Sequence, residues 1–252
     1  VGSEMCIRDS FQDERIHIYT KENEGVSAAR NYGIMHAKYD YIAFLDADDI
    51  WESDYLECQK KLIGTYPDAG IYSTAFYSLE KRKRKLRNVL INEHIHFLVH
   101  DYFKESVMNG LSICWTSSLC LKKEVIKEIP MFRVGIKRGE DLDLWLRIAL
   151  NYDVAYLNLP KVFYRTGLSD SLTSDYSKNG EFPYYEWFNF TSESSYYRKY
   201  VILVVYIHAK NAFIHHDYDT CLAELWSVKT IAWRFKWAER LLLLVISWIK
   251  SK

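Results

Sequence analysis

The sequence predicts an α/β fold in which flanking helices cover a mostly parallel sheet, with a helical extension at the C-terminal end. Strand-like and helix-like segments alternate along the first part of the chain, a pattern typical of a parallel sheet. They are strands at 15–20, 41–46 and 69–77 and helices at 25–37 and 53–66. From about Tyr184 onward, aromatic and helix-forming residues dominate. We therefore expect an α/β domain over residues 11–170 and a helical extension over residues 171–252.

Later segments continue this pattern towards the middle of the chain. The spacing of apolar residues predicts a helix over 97–108 and strands over 113–121 and 154–157. Five consecutive basic residues, Lys81 to Lys85, favour a solvated hairpin tip over a binding site. Only 10 glycines and 4 prolines punctuate the chain, so the loops between these elements are expected to be short.

The balance of charges excludes one class of function, and the cysteines exclude two kinds of site. The 33 basic and 33 acidic side chains cancel, so no net field attracts a polyanion, which argues against a dedicated nucleic-acid-binding protein. The 5 cysteines are scattered and include no C-x-x-C pair. This pattern indicates neither a disulfide framework nor a zinc knuckle, and it predicts a cytoplasmic location.

The most informative motif is a cluster of aspartates at the end of an apolar strand. Asp46, Asp48 and Asp49 follow this strand, and open α/β sheets bind ligands beyond the carboxyl ends of their strands. Carboxylates this close repel one another unless a cation lies between them. The motif therefore indicates Mg²⁺ or Mn²⁺ carrying substrate phosphates, although a solvated acidic loop is the alternative. A calcium EF-hand is excluded, because Ile50 and Trp51 stand where that loop needs an oxygen ligand and a glycine.

Two further motifs accompany the aspartate cluster. Residues 139–147 begin with Gly-Glu-Asp, and the apolar residues from Leu142 onward follow helical spacing. The acids Glu140 and Asp141 thus lie in the first turn of a helix, where the helix dipole favours negative charge. Residues 23–33 form the third motif, N-E-G-V-S-A-A-R-N-Y-G, one helix before the aspartate cluster.

In this order the three motifs resemble those of the family 2 glycosyltransferases, which have the GT-A fold. The family pattern is N-x-G-x-x-x-A-R-N-x-G, then a strand ending in D-x-D-D, then an E-D pair followed by W-x-R. The resemblance extends over roughly residues 15–166. It implies a metal-dependent, inverting transfer of a sugar from a nucleotide-diphosphate donor to a hydroxyl acceptor. The expected products are surface polysaccharides or glycolipids.

The resemblance assigns roles to the acidic residues. Asp48 corresponds to the metal ligand, with Mn²⁺ or Mg²⁺ as cofactor, and Asp46 orients the ribose or contacts the metal, directly or through water. Asp49 assists one of these tasks. Asp141 matches the family's catalytic base, which takes the proton of the acceptor hydroxyl during attack. Glu140 is expected to contact the acceptor or orient its loop, and the reverse assignment of these two acids stays open.

The resemblance also assigns contacts to the nucleotide sugar. Asn23 and Arg30 lie towards the nucleotide, and Arg165, in a late Tyr-Arg pair, steadies the diphosphate. A surface ion pair is the alternative role of either arginine. Family members commonly carry a histidine two residues after this pair. This chain has Thr166 and Gly167 there, so no histidine is assigned to the diphosphate.

The N-terminal region departs from the family pattern. Residues 1–10, VGSEMCIRDS, lack strand or helix periodicity and are interpreted as an artefactual leader, with a genuine flexible leader as the alternative. The two strands with which family members begin have no counterpart, so residues 11–170 are expected to form a partial GT-A domain. An inactive fragment, or a nucleotide-binding module without a complete donor site, is the main rival function. A nucleotidyltransferase is disfavoured, because no glycine-rich phosphate loop is visible.

Two candidate sites lie outside the motifs. His94, His96 and His100 are poor candidates for zinc ligands, because only two of them would share a helix face. Residues 230–252 contain a nine-residue, largely apolar run flanked by Lys and Arg, which is too short to cross a bilayer. The segment predicts peripheral contact with the inner face of the membrane, where a lipid-linked glycan acceptor would lie. A terminal helix packed on the domain is the alternative.

Overall fold

The computed structural model describes residues 13–80, 83–136, 138–166, 184–187, 190–227 and 250. Its helices are α1 Val26–His36, α2 Tyr55–Thr65, α3 Tyr102–Asn109, α4 Val125–Glu128, α5 Glu140–Ala149, α6 Tyr184–Trp187, α7 Tyr197–Ile214 and α8 Tyr218–Ser227. Its strands are β1 Tyr41–Ala43, β2 Ile50–Trp51, β3 Ile71–Glu80, β4 Lys83–Arg87, β5 His96–Val99, β6 Leu119–Lys122 and β7 Val154–Thr166. A 3₁₀ turn at Thr116–Ser118 directly precedes β6.

The strands form a sheet whose long central members are β3 and β7. The order across the sheet is β1-β6-β3-β7-β2, and β4 pairs with the second half of β3 while β5 pairs with the first half of β7. β3 and β7 run parallel. All other strand pairs among the described residues are antiparallel.

The predicted α/β fold with flanking helices is confirmed, but the sheet is mixed rather than mostly parallel. β4 follows β3 closely in the chain, and so short a connection joins only antiparallel neighbours. β6 lies antiparallel between β1 and β3, so β1 and β3 point the same way without touching. The alternation of patterns identifies strands without giving the direction of each one, which is why the sequence overstated the parallel part.

Several predicted elements are observed with small changes in length. The helices predicted at 25–37 and 53–66 correspond to α1 and α2, and the strand predicted at 69–77 corresponds to β3, which continues to Glu80. The strand predicted at 41–46 is shorter and ends at Ala43. The residues that follow β1 are therefore free to form the turn that carries the aspartates.

Three predicted segments are wrong in whole or in part. Residues 15–20 form no strand, because no described strand lies beside them to complete a ladder, and Ile16 is 46% exposed. The segment 97–108 begins as β5, and its helix α3 starts only after Asp101, whose carboxylate accepts the Lys104 N–H. The segment 113–121 is mostly a turn, and β6 begins only at Leu119. In each case a capping or pairing partner sets the boundary, and apolar spacing does not reveal it.

The described part of the predicted C-terminal extension is helical, and α7 shares the main hydrophobic core with α3 and α5. The Tyr200 hydroxyl lies 2.9 Å from the Tyr102 hydroxyl, and the Tyr197 hydroxyl donates to the Trp187 carbonyl at 2.6 Å. The domain boundary at residue 170 stays a prediction. The segment 230–252 lies outside the described residues apart from Lys250. No described helix is long and apolar enough to cross a bilayer.

Candidate active site

The three sequence motifs meet at the guanidinium group of Arg30. Its Nη2 donates to Asp46 Oδ1 at 2.8 Å, and its Nη1 donates to Glu140 Oε1 at 2.7 Å. The Arg30 side chain is 13% exposed. Burial disfavours its charge, but the surrounding carboxylates Asp46, Asp141 and Glu140 raise the pKa of Arg30 above its usual value. One buried cation therefore holds the aspartate cluster and the Glu-Asp pair together.

An aromatic cluster behind Arg30 explains why these distant segments meet. Phe44, at the end of the apolar strand segment, packs edge-on against Phe132 and at a tilt against Trp145 of α5, with ring centroids 5.7 and 6.1 Å apart. Asn31, next to Arg30 on α1, fixes Phe132 by exchanging two hydrogen bonds with its main chain, at 2.7 and 3.0 Å. The apolar faces of the motifs thus build the scaffold on which their polar residues converge.

The turn that carries the aspartates is pinned by Ser117, in the 3₁₀ turn before β6. The Asp46 N–H donates to Ser117 Oγ at 3.0 Å, and Trp51 Nε1 donates to the Ser117 carbonyl at 2.7 Å. Ser117 is fully buried. No local pattern in the sequence identified this serine.

Asp49 faces inward. Trp115 Nε1 and the Arg165 main-chain N–H donate to its two carboxylate oxygens, each at 3.3 Å. Burial raises the pKa of Asp49 to about 6, against the lowering effect of hydrogen bonds from Ser117 and Trp115. This geometry suits a residue that shapes the turn more than one that contacts a ligand.

The Asp48 carboxylate and the Arg165 guanidinium are the charged groups at this turn that remain available to a ligand. The half-exposed Asp48 carboxylate makes no hydrogen bond or ion pair within the described part of the chain. Arg165 Nε donates to the Asp48 main-chain carbonyl. No carboxylate among the described residues pairs with the Arg165 guanidinium, so the surface ion pair considered for it is not observed there. A carboxylate and an uncompensated cation thus lie side by side.

The donor atoms at this turn fit a divalent cation that arrives with a phosphate. Mg²⁺ and Mn²⁺ prefer carboxylate oxygens, and Mg²⁺ is usually held by one or two carboxylates together with substrate phosphates. Asp48 offers a free carboxylate, and Asp46 has an oxygen beyond the one bonded to Arg30. Within the described residues, no three His, Cys, Asp or Glu side chains group to hold an ion by themselves.

The Glu140-Asp141 pair opens α5. Gly139 precedes it with a φ of 72°, a left-handed conformation that side chains disfavour, and so sets the direction in which the helix starts. Burial, and then the charge of Asp141, raise the pKa of Glu140 well above its usual range, and Arg30 only partly offsets this. Asp141 is half-buried, and its carboxylate accepts hydrogen bonds from Thr116 Oγ1 at 3.1 Å and the Leu142 N–H at 2.7 Å. Asp141 is therefore the more accessible acid.

The remaining polar residues of the 139–147 motif are structural. The Asp143 side chain is fully buried and accepts hydrogen bonds from Arg147 Nε and Trp187 Nε1, both at 2.9 Å. Arg147 also donates to the carbonyls of Pro130 and Met131. These contacts bind α5 to the loop that carries Phe132.

Two other predicted sites lie apart from this centre. Asn23 is exposed, and its carboxamide oxygen accepts the Gly25 N–H at 3.1 Å, which forms the turn that leads into α1. The nucleotide contact assigned to Asn23 stays a prediction. His96 lies on β5 against the Tyr66 hydroxyl at 3.1 Å, and His100 Nδ1 lies 2.8 Å from Asp153 Oδ2. These two histidines therefore do not share a helix face.

Arg30→Met is expected to lower the free energy of unfolding by about 3 to 5 kcal/mol, because it leaves the buried Glu140 carboxylate and the half-buried Asp46 carboxylate without their cation. Arg30→Lys should recover only part of this, since an ammonium group lacks the planar fork that reaches both partners. Urea unfolding measures the effect. Arg15→Met is the matched control, because Arg15 is 86% exposed and its pair with Asp13 should contribute little. If Arg30→Met lowers the free energy of unfolding no more than Arg15→Met does, the bridging role of Arg30 is contradicted.

Glu140→Gln is expected to raise the melting temperature at pH 8 by about 3 to 5 °C, and by progressively less at lower pH. A carboxyl group whose pKa is raised on folding holds its proton more tightly when folded. Wild-type stability therefore falls as pH rises through the interval above the usual glutamate value, and glutamine removes this dependence. Thermal melts at pH 5 and pH 8 test this. If the difference in melting temperature between variant and wild type is the same at both pH values, the hydrogen bond from Arg30 to Glu140 outweighs the effect of burial.

Comparison with known proteins bears directly on this arrangement. A model of the family described as Glycosyl transferase family 2 matches residues 4–129, half of the chain. An uncharacterized glycosyltransferase of Rickettsia felis is 33% identical over 141 residues, covering 55% of this chain and 22% of that protein. Bacillus subtilis TuaG, provisionally named a teichuronic acid biosynthesis glycosyltransferase, is 30% identical over 145 residues, covering 57% of this chain and 54% of TuaG. The chain thus spans about half or less of the length of these relatives.

Among solved structures, residues 1–349 of S. aureus TarS in complex with UDP-GlcNAc resemble this chain with a TM-score of 0.50. The match covers 89% of this chain and 60% of that one at 12% identity, so it bears on the fold alone. The convergence of the three motifs on Arg30 and the match to the family model lead to one conclusion. The chain belongs to glycosyl transferase family 2 and has a GT-A type fold.

Proposed function

We propose that this chain transfers a sugar from a nucleotide-diphosphate donor to a hydroxyl acceptor, with inversion at the anomeric carbon. The observation that supports this most directly is the Arg30 bridge, which joins Asp46 of the donor motif to Glu140 beside Asp141. Donor chemistry and acceptor chemistry need different carboxylates within reach of one sugar ring. A single buried arginine provides that proximity.

In the proposed reaction, the acceptor oxygen attacks the anomeric carbon while the bond from that carbon to the diphosphate oxygen breaks. The acceptor proton passes to the Asp141 carboxylate, and the bonding electron pair leaves with the nucleoside diphosphate. Thr116 and the Leu142 N–H hold the Asp141 carboxylate in place. Inversion follows because the base and the leaving group lie on opposite faces of the sugar.

The leaving diphosphate needs charge stabilisation. Asp48, with Asp46, would hold Mn²⁺ or Mg²⁺, and such an ion neutralises the negative charge that grows on the phosphate oxygens. Arg165 contributes a fixed cation beside Asp48. Asp49 positions Trp115 and Arg165 by accepting their N–H groups, which keeps the turn in shape when substrate is absent.

The proposed biological role is assembly of a surface polysaccharide or glycolipid from a glycan or lipid-linked acceptor. The provisional name of TuaG supports this role, since it places a relative in teichuronic acid biosynthesis. A cytoplasmic location and contact of residues 230–252 with the inner face of the membrane stay predictions that belong to the same picture.

Calorimetric titration with UDP, GDP and dTDP, each with and without Mn²⁺, tests the proposal. We expect one nucleotide to bind with an affinity that depends on the metal. Absence of binding by all three would favour the rival reading of an inactive fragment. A nucleotidyltransferase is distinguished by its product, because it releases pyrophosphate from a nucleoside triphosphate, whereas this reaction releases a nucleoside diphosphate. NMR of the glycoside product then reports whether the anomeric configuration has inverted.

A further inference from the structure

The strand β4 carries a dense group of cations, and Glu80 is the acidic residue that lies opposite them in the ladder with β3, across from Lys83. Lys83, Arg84, Lys85 and Arg87 are all exposed, and none forms an ion pair within the described residues. Arg84 stacks over Phe163 with its guanidinium carbon 4.8 Å from the ring centroid. Within the chain that the structure describes, β4 pairs only with β3, so it lies at an edge of the sheet. Four cations facing one carboxylate repel one another on balance, which costs stability unless a further anionic partner is present.

Exposed apolar side chains lie directly beside these cations. Leu86 is 47% exposed, Val89 is 43% exposed and Ile91 is 99% exposed. No acidic residue interrupts the sequence from Lys83 to Ile91. We call the cations of β4 together with these three apolar residues the β4 patch.

An open cavity adjoins the β4 patch. Its volume is about 280 Å³, and its walls are Leu86, Arg87, Asn88, Val89, Asn109 and Leu111. Arg87 Nε donates to Ser78 Oγ at 3.1 Å, and its terminal nitrogens have no acceptor among the described residues. The cavity thus combines an available guanidinium group with an apolar rim.

We propose that the β4 patch binds the surface of an anionic bilayer. Cations near a bilayer are attracted by anionic headgroups, while neighbouring apolar side chains bury their surface at the acyl boundary. The cavity beside Arg87 accommodates a phosphate-bearing headgroup. This inference goes beyond the proposed function and concerns a different surface from residues 230–252.

The position of the β4 patch in the sheet gives this binding a consequence for catalysis. Leu79 of β3 lies opposite Arg84 on one side and opposite Arg165 on the other. Arg84 and Arg165 are therefore two strands apart in one sheet, about 10 Å. A bilayer bound at β4 brings membrane-borne molecules close to the candidate active site.

A soluble anionic glycan is the competing partner. Carboxylates or phosphates along a glycan chain would explain Lys83, Lys85 and Arg87, which recur about every 7 Å along one face of the strand, with Arg84 on the other face. Such a chain would not explain why Val89 and Ile91 are exposed beside them. The apolar residues of the β4 patch therefore favour the bilayer as partner. They also allow an experiment to distinguish the bilayer from a soluble glycan.

Co-sedimentation with vesicles tests the role of the charges. The whole chain is mixed with vesicles of phosphatidylcholine alone, or of phosphatidylcholine with about a third phosphatidylglycerol. The wild type should bind the anionic vesicles only. Lys83→Gln/Arg84→Gln/Lys85→Gln should lower the partition coefficient about 100-fold, because each surface cation contributes to headgroup attraction. The matched control is Lys60→Gln/Lys127→Gln/Lys199→Gln, which removes three exposed cations elsewhere, including one that stacks on Tyr196 as Arg84 does on Phe163.

A second pair of variants tests the apolar contact. Val89→Ser/Ile91→Ser should weaken vesicle binding about fivefold or more at unchanged charge. Leu56→Ser/Leu159→Ser, at exposed positions outside the β4 patch, should leave it unchanged. Thermal melts verify that all variants fold. Failure of the wild type to bind anionic vesicles would overturn the proposal. An equal loss of vesicle binding in a patch variant and in its control would also overturn the proposal. Sensitivity to charge without sensitivity at Val89 and Ile91 would instead assign the β4 patch to a soluble polyanion.

Discussion

Asp48→Ala is expected to abolish Mn²⁺-dependent nucleotide binding, with a loss of affinity of about 100-fold or more. Removing a direct carboxylate ligand leaves the charge of the diphosphate uncompensated. The fold should not change, because the Asp48 carboxylate makes no hydrogen bond or ion pair in the described part of the chain. Arg165 Nε bonds the main-chain carbonyl at this position, which alanine retains. Calorimetric titration of parent and variant with the nucleotide that binds the parent measures the loss.

The control for this variant is Asp40→Ala, which removes an exposed carboxylate on the other side of β1, directly before Tyr41. It should bind nucleotide as the parent does. Both variants should melt at the parent's temperature. If Asp48→Ala keeps the metal-dependent affinity of the parent, the ligand assignment is wrong, and Asp46 becomes the next candidate.

The fold class and the three motifs could be predicted from sequence, because they depend on local patterns. Apolar spacing identified α1 and α2 and the strand β3, and the run of acids after β1 marked the carboxyl end of a strand. The direction of each strand could not be predicted in this way. It depends on which strands become neighbours, and β6 begins 39 residues after the end of β3 and 76 residues after the end of β1.

The different roles of the three aspartates also could not be predicted from the sequence. Asp46, Asp48 and Asp49 are chemically identical there, and only their surroundings separate them. Asp46 is turned towards Arg30, whereas Trp115 draws Asp49 inward and Asp48 keeps a free carboxylate. The partners that decide this lie on α1 and on the turn before β6, so the distinction appears only after folding.

Asp141→Asn is expected to lower turnover about 100-fold or more while leaving donor affinity nearly unchanged. An amide cannot accept the proton of the acceptor hydroxyl. The substitution preserves local structure, because the asparagine oxygen can still accept the Leu142 N–H, and its amide group can donate to Thr116 Oγ1. Single-turnover release of nucleoside diphosphate measures the effect, and calorimetry measures donor affinity.

Glu140→Gln and Asp143→Asn decide between the remaining assignments of the base. If Asp141→Asn keeps wild-type turnover and Glu140→Gln loses it, the base is Glu140. The structure argues against that outcome, because the Glu140 carboxylate is buried and bonded to Arg30. Asp143 is a weaker candidate still, because its fully buried carboxylate is bonded to Arg147 and Trp187. Asp143→Asn should therefore lower stability rather than the turnover of the folded enzyme, so melting and turnover measured on the same samples separate a base from a structural carboxylate.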